Sequence, residues 1–185
     1  FRVDAISHIK KKPGLPDMPN PEGKRYVECY DYMMNYEGIG EFLSELSNAA
    51  LKRPGILTVG EANGVGTDDV MDWVGEKDGY FNMIFQFEHL NLWNKGADDG
   101  IDVQELMKIL SRWQTYLEDD GWNALFIENH DLTRSVSALG NDKAYWKESA
   151  KMLATLYFFM KGTPFIYQGQ EIGMTNAGFE NIEDY

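Results

Sequence analysis

Apolar residues recur along the chain in two alternating rhythms. Stretches of four to ten residues rich in Val, Ile, Leu and Phe read as strands: Phe1 to Ile6, ILTVGEA, FNMIFQFEHL, NALFIENHD and PFIYQGQEIG. Between them the period lengthens to that of a helix. EGIGEFLSELSNAALKR places Ile39, Phe42, Leu43, Leu46 and Ala50 on one side, and Pro54-Gly55 ends it. Thr67 is expected to cap a short helix, TDDVMDWVG. IDVQELMKILSRWQTYLEDDG predicts a helix burying Leu106, Ile109, Leu110, Trp113 and Leu117. Asp142 is expected to cap another, burying Trp146, Met152, Leu153, Leu156, Tyr157 and Met160 and stopping at Gly162. A Pro-rich polar loop, KKPGLPDMPNPEGK, follows the first strand, and MTNAGFENIEDY reads as irregular surface. Strict β–α alternation predicts a parallel sheet covered by helices, either an open doubly wound sheet or a barrel.

Strands of a parallel sheet should be almost uninterruptedly hydrophobic. Here the rule breaks at the carboxyl ends. Asp4 comes late in the first strand and Glu61 closes the second. Glu128, Asn129, His130 and Asp131 close the fourth, and Gln168, Gln170 and Glu171 the fifth. Ligands of α/β sheets and barrels bind at that edge, so these polar residues are expected to converge. Arg2 lies two residues from Asp4 and therefore on the same face. An arginine there would hold the Asp4 carboxylate ionised and oriented in a dry pocket.

Charge narrows the chemistry. The chain has 185 residues, 43% of them hydrophobic, and a formal net charge of −13. That balance repels phosphate backbones and anionic lipids, so neither nucleic acid nor a membrane surface is an expected partner. No apolar run approaches membrane-span length. Cys29 is the one cysteine, which excludes an internal disulfide and a cysteine metal site. A reducing, cytoplasmic compartment fits, and secretion is allowed. GEANGVGT lacks the lysine of a phosphate loop, and ADDGID lacks the spacing of a calcium loop. His8 and His89 have no partner at ligand spacing and read as surface or packing residues. Clustered carboxylates without these motifs suit glycoside hydrolysis, which needs a nucleophile or base and a proton donor. Divalent-metal binding is the rival use of acidic residues, less suited to the Arg2 and His130 found here.

FRVDAISHI, LTVGEANGV and FIENHD then resemble three ordered signature segments of the α-amylase family, glycoside hydrolase family 13, and GTPFIYQGQEIGM resembles its strand-eight segment. Sequences with TVGEANGV and FQFEH are most similar to the α-glucosidase and oligo-1,6-glucosidase branch. The resemblance implies a partial TIM (β/α)8 barrel covering roughly strands four to eight. It implies that residues 1–185 are the carboxyl-terminal part of the catalytic domain, without the inserted subdomain or the following β-sandwich. Five strands cannot close such a barrel, so bare edges and poor solubility are expected of this stretch alone.

By position, the resemblance makes Asp4 the nucleophile, oriented by Arg2. It makes Glu61 the general acid/base and Asp131 the transition-state carboxylate, with His130 binding a sugar hydroxyl. Arg134 occupies an arginine position common in the branch, and Ala138 stands where many relatives carry another arginine. Ala5 sits where linkage preference varies, and alanine leans toward α-1,4 over α-1,6 bonds. Ala62 and Asn63 are expected to border the leaving-group site. No cofactor or metal is implied, and the expected partner is an oligosaccharide. The alternatives are a transglucosidase or sucrose isomerase with the same residues, and a non-catalytic transporter heavy-chain-like binding protein. Intact carboxylates weigh against the last.

Overall fold

The computed structural model describes residues 1–94, 101–179, 181 and 183. Most of ADDGID and the last part of the tail fall outside these residues. Among the described residues the strands are β1 (Arg2–Val3), β2 (Val59–Glu61), β3 (Met83–Phe85), β4 (Ala124–Leu125) and β5 (Thr163–Pro164). β1, β2 and β3 pair in parallel in that order, as do β4 and β5. A parallel bridge from Ile84 to Asn123 joins the two groups into one curved series. The helices are α1 (Ile39–Leu46), α2 (Val70–Val74), α3 (Val103–Tyr116), α4 (Ser135–Leu139) and α5 (Trp146–Phe158). This is the strand–helix alternation of a partial (β/α)8 barrel.

Alternation along each strand sorts the side chains. Gly60 faces the helices, where an added Cβ would lie 3.1 Å from the Phe81 ring and 3.2 Å from Ile6. On that side Ile39, Leu43, Val70, Trp73, Ile84, Leu106, Ile109 and Trp113 form the main core. A second cluster joins Leu125 and Ile127 to Val136, Leu153 and Tyr157 of α4 and α5. The opposite, concave face carries a layer of Val59, Met83 and Ala124, with Phe85 and Phe165 against it. Side chains of adjacent strands stacked in one inner layer are the packing of a barrel interior.

α3 behaves as its pattern predicts. Leu106, Ile109, Trp113 and Leu117 are buried, each burial stabilising by roughly 1.5–3 kcal/mol. The Asp102 side chain caps the Glu105 N–H at 3.0 Å.

Other expectations are corrected. The strands are shorter than the apolar runs, because their ends peel into turns and 3₁₀ segments, as at Ile6–His8 and Gln170–Ile172. Glu88, His89 and Leu90, the end of the expected third strand, likewise belong to a 3₁₀ segment, Glu88–Asn94. Asp69 rather than Thr67 stands at the start of α2; Thr67 is buried. Asp142 does not cap α5: it accepts from Ser137 Oγ, and Asn141 Oδ1 takes the Lys143 and Tyr145 amides instead. Trp146 and Met152 are exposed, because α5 buries only the narrow Ser149–Leu153–Tyr157 stripe.

His89 is a neutral core histidine. Its Nδ1 accepts from Gln86 Nε2 at 2.8 Å and its Nε2 faces the Phe126 carbonyl at 2.9 Å. Gln86 cannot turn to offer its oxygen, since Oε1 already accepts from the Glu88 amide. Burial pushes the His89 pKa down to about 4, against a small opposing pull from the Phe126 carbonyl. The unfolded imidazole binds its proton near 6.5, so folding stability is full above that pH and declines between about 6.5 and 4. The loss reaches roughly 3 kcal/mol. Tm across that range and NMR titration of the ring check this; a His89 that protonates near 6.5 would contradict it.

Candidate active site

Register explains why separate strands deliver their polar residues to one place. Arg2 pairs with Val59, and Glu61 with Phe85. Cross-strand partners share a face, so Arg2, Val59 and Met83 lie in one row and Glu61 and Phe85 in the next, with Asp4 in the turn that follows β1. Phe126 and Glu128 follow Ala124 at intervals of two, as Phe165 and Tyr167 follow Thr163. These inward positions and their flanks line a cavity of about 180 Å³ bounded by Arg2, Glu61, Phe85, Phe87, Phe126, Glu128, Asn129, His130, Phe165, Ile166 and Tyr167. Aromatic rings form much of its wall, with Phe85 packed edge-on against Phe126 at 5.0 Å and Phe165 at 4.6 Å between centroids.

Arg2 links the first two carboxyls. Its Nη1 donates to Asp4 Oδ1 at 2.6 Å and its Nη2 to Glu61 Oε2 at 2.8 Å. The Ala5 amide also donates to Glu61 Oε2, at 3.1 Å. Ala5 adopts the left-handed conformation, with φ 45°, which aims that N–H back at Glu61.

The two acids are driven apart. Burial raises the Glu61 pKa, outweighing the Ala5 amide; hydrogen bonding and charge repulsion from Asp4 add to the rise, and Arg2 opposes it. Asp4 is lowered, first by the Glu61 hydrogen bond and then by Arg2, with a contribution from His130. Of the two, Glu61 is the group that binds a proton more readily and Asp4 the one that more readily stays charged.

The expected dry pocket for Asp4 is corrected. Its side chain is 71% exposed, because β1 stops at Val3 and the turn at Ala5 lifts it to the open rim. Asp131 is similarly open, at 61%, with His130 Nε2 3.5 Å away. Neither lines the cavity; Asp4 is fastened to its wall through Arg2, and Asp131 adjoins the lining residue His130.

The remaining candidates divide. Arg134 lies behind the wall, its guanidinium given to Glu128 Oε1, the Gln168 carbonyl and Met174 Sδ, and packed 4.8 Å over the Tyr167 ring. Ala62 is fully buried in the core with its amide on the Phe85 carbonyl, so its side chain borders no substrate space. Asn63 reaches a separate hollow beside Tyr30, Met34, Gly64 and Glu88. Ala138 is exposed on α4.

Sequence reasoning missed the aromatic wall. The alternation of Phe85 and Phe87 in FQF was the available signal, since two aromatics two residues apart share a face. Among the described residues no three His, Cys, Asp or Glu side chains are grouped to hold a metal, and no helix is long and apolar enough to cross a membrane.

Comparison with known proteins agrees with this geometry. The family model for the alpha amylase catalytic domain matches residues 1–184. A probable oligo-1,6-glucosidase 3 of Bacillus subtilis is 60% identical over 185 residues, covering all of this chain and 33% of the relative. The oligo-1,6-glucosidase of Halalkalibacterium halodurans is 46% identical, covering 100% and 34%. This chain therefore spans about a third of the length of these curated relatives. Among solved structures, a Bacillus licheniformis trehalose-6-phosphate hydrolase superposes with a TM-score of 0.84 at 36% identity, over 100% of this chain and 33% of that one. An isomaltulose synthase from Erwinia rhapontici NX5, bound to D-glucose, gives 0.83 at 31%, with the same coverage. With its strand order, its rim of carboxylates and this match across nearly its whole length, the chain belongs to the alpha-amylase family and forms part of its catalytic domain.

Proposed function

We infer that the intact protein is a retaining α-glucosidase of short oligosaccharides. The observation that carries this reading is the Arg2 guanidinium bridging two carboxyls whose proton affinities are displaced in opposite directions. Sharing one guanidinium keeps the carboxyls near each other, as retention requires; inverting enzymes hold them farther apart to admit a water.

In the first step an Asp4 oxygen attacks the anomeric carbon. The glycosidic C–O bond breaks, and the departing oxygen takes the Glu61 proton. Asp4 is then an ester of the sugar and Glu61 a carboxylate. In the second step Glu61 removes a proton from water, whose oxygen attacks the same carbon and releases Asp4. Both atoms and charge return to their starting places. Asp131 and His130 stand at the rim where a carboxylate and an imidazole can hold sugar hydroxyls and face the positive charge that develops on the ring. The aromatic wall excludes water from the apolar face of that ring.

Linkage preference rests on Ala5. Its exposed methyl stands directly after the nucleophile and its amide touches Glu61, so its size bears on how the leaving sugar enters. We read it as favouring α-1,4 bonds, against the α-1,6 preference that the names of the two relatives carry. Glucose release from maltose and isomaltose by the intact protein decides. Maltose is expected to have the greater kcat/KM, by about fivefold or more, equivalent to roughly 1 kcal/mol of transition-state binding. The reverse ratio would establish α-1,6 preference. Likeness to an isomaltulose synthase supports a second reading, transfer to a sugar acceptor, which isomerised products from sucrose would reveal.

A further inference from the structure

Glu128 takes no part in the chemistry just described, yet it is the most deeply buried carboxylate of the rim, with 1% of its side chain exposed. Burying an anion is unfavourable unless partners replace its water. Here three donors do. Arg134 Nη1 binds Oε1 at 2.7 Å, while the Ser135 amide and hydroxyl bind Oε2 at 2.8 and 2.7 Å. The carboxylate thus ties the end of the fourth strand segment to the first turn of α4.

Between those anchor points runs the loop that carries His130 and Asp131. Its own support is slight: Asn129 Oδ1 takes the Asp131 amide at 2.9 Å, and the Asn129 carbonyl takes the Leu132 amide at 3.4 Å. Arg134 extends the tie to the neighbouring loop after β5. It donates to the Gln168 carbonyl at 2.8 Å and lies over Tyr167, which lines the cavity, while its own amide donates to Asn176 Oδ1. One carboxylate therefore fixes the fourth-strand loop directly and couples it to the fifth-strand loop.

We propose that Glu128 is a positioning residue: with Arg134 it forms a latch between two neighbouring loops that holds His130, the adjoining Asp131 and Tyr167 in place at the cavity. Glu128→Gln tests it, because glutamine keeps an oxygen for Ser135 and loses the charge that holds Arg134. The inference rests on the glucosidase reading, so activity is measured beside a readout that does not depend on it.

In the intact protein, well below Tm and per folded molecule, Glu128→Gln is expected to lower kcat about 10- to 100-fold with KM changed less than about threefold. Arg134→Lys, which keeps the charge and loses the fork, is expected to fall between the two. Amide hydrogen exchange across 129–133 should quicken in both variants, while the core of α3 stays protected. Loop exchange that quickens while kcat per folded molecule stays within about twofold would overturn the positioning role. Unchanged exchange would overturn the latch itself. A wild-type protein that cleaves no glucoside would instead refute the glucosidase reading, and the exchange data would still judge the latch.

Discussion

Asp4→Asn in the intact protein is expected to lower kcat by about 10⁴-fold while leaving the fold in place. The carboxamide cannot form the ester on which the first step depends, and no neighbouring group replaces it. Glu61 is buried and its pKa is raised, which suits it to donate a proton rather than to stand in as a second nucleophile. The fold is unaffected because Asp4 sits on the open rim and touches the Arg2 and Glu61 side chains rather than the core. Tm by calorimetry and kcat on a glucoside, measured on the same preparation, separate the two effects. Near-normal turnover would remove Asp4 from its role.

Glu61→Gln is expected to cost about 10²- to 10⁴-fold in kcat/KM on maltose, since the same group serves as acid and then as base. Its pH signature is the sharper test. Glu61 must be protonated to act as acid, so activity falls as pH rises through its raised pKa. Asp4 must be ionised, so activity falls as pH drops through its lowered one. The wild-type profile of kcat/KM is therefore expected to be bell-shaped, with Glu61 setting the basic limb and Asp4 the acidic limb. Glutamine cannot titrate, so the basic limb should disappear from the variant. An aryl glucoside with a good leaving group should recover the first step and not the second, letting the covalent intermediate accumulate. A variant that kept both the wild-type rate and the same basic limb would show that Glu61 is not the acid.

Much of this site could be read in the sequence because a parallel sheet advertises its functional edge. Its interior positions tolerate few polar residues, so Asp4, Glu61 and Asp131 stood out at the ends of apolar runs. The two-residue period alone brings Arg2 to the same face as Asp4, and the guanidinium does reach that carboxylate. The relative exposure of the acids was not legible. Asp4 and Glu61 both close apolar runs, yet Asp4 is lifted out by the left-handed turn at Ala5 while Glu61 remains paired in β2. Ala5 carries no sequence mark of that conformation, which glycine or asparagine would have supplied.

The boundaries of helices were blurred for a related reason. Thr67 and Asp142 are good capping residues by type, but hydrogen bonds elsewhere claim Asp142, and burial takes Thr67. On α5, apolar residues occupy more than one face, so periodicity alone could not tell that Trp146 and Met152 stay exposed. Glu128 was visible as a polar residue at a strand end. Only the contacts of its carboxylate separate it from Asp4, Glu61 and Asp131.

The account turns on Asp4 becoming covalently bonded to the sugar. The most direct measurement is to trap that ester in the intact protein with 5-fluoro-α-D-glucosyl fluoride, whose fluorine slows both steps while the fluoride leaving group favours the first. Peptide mass spectrometry then locates the label. A glucosyl adduct on the Asp4 side chain, formed in the wild-type protein and absent from Asp4→Asn, is the predicted result. An adduct on any other carboxylate, or turnover to inverted product with no adduct, would contradict it.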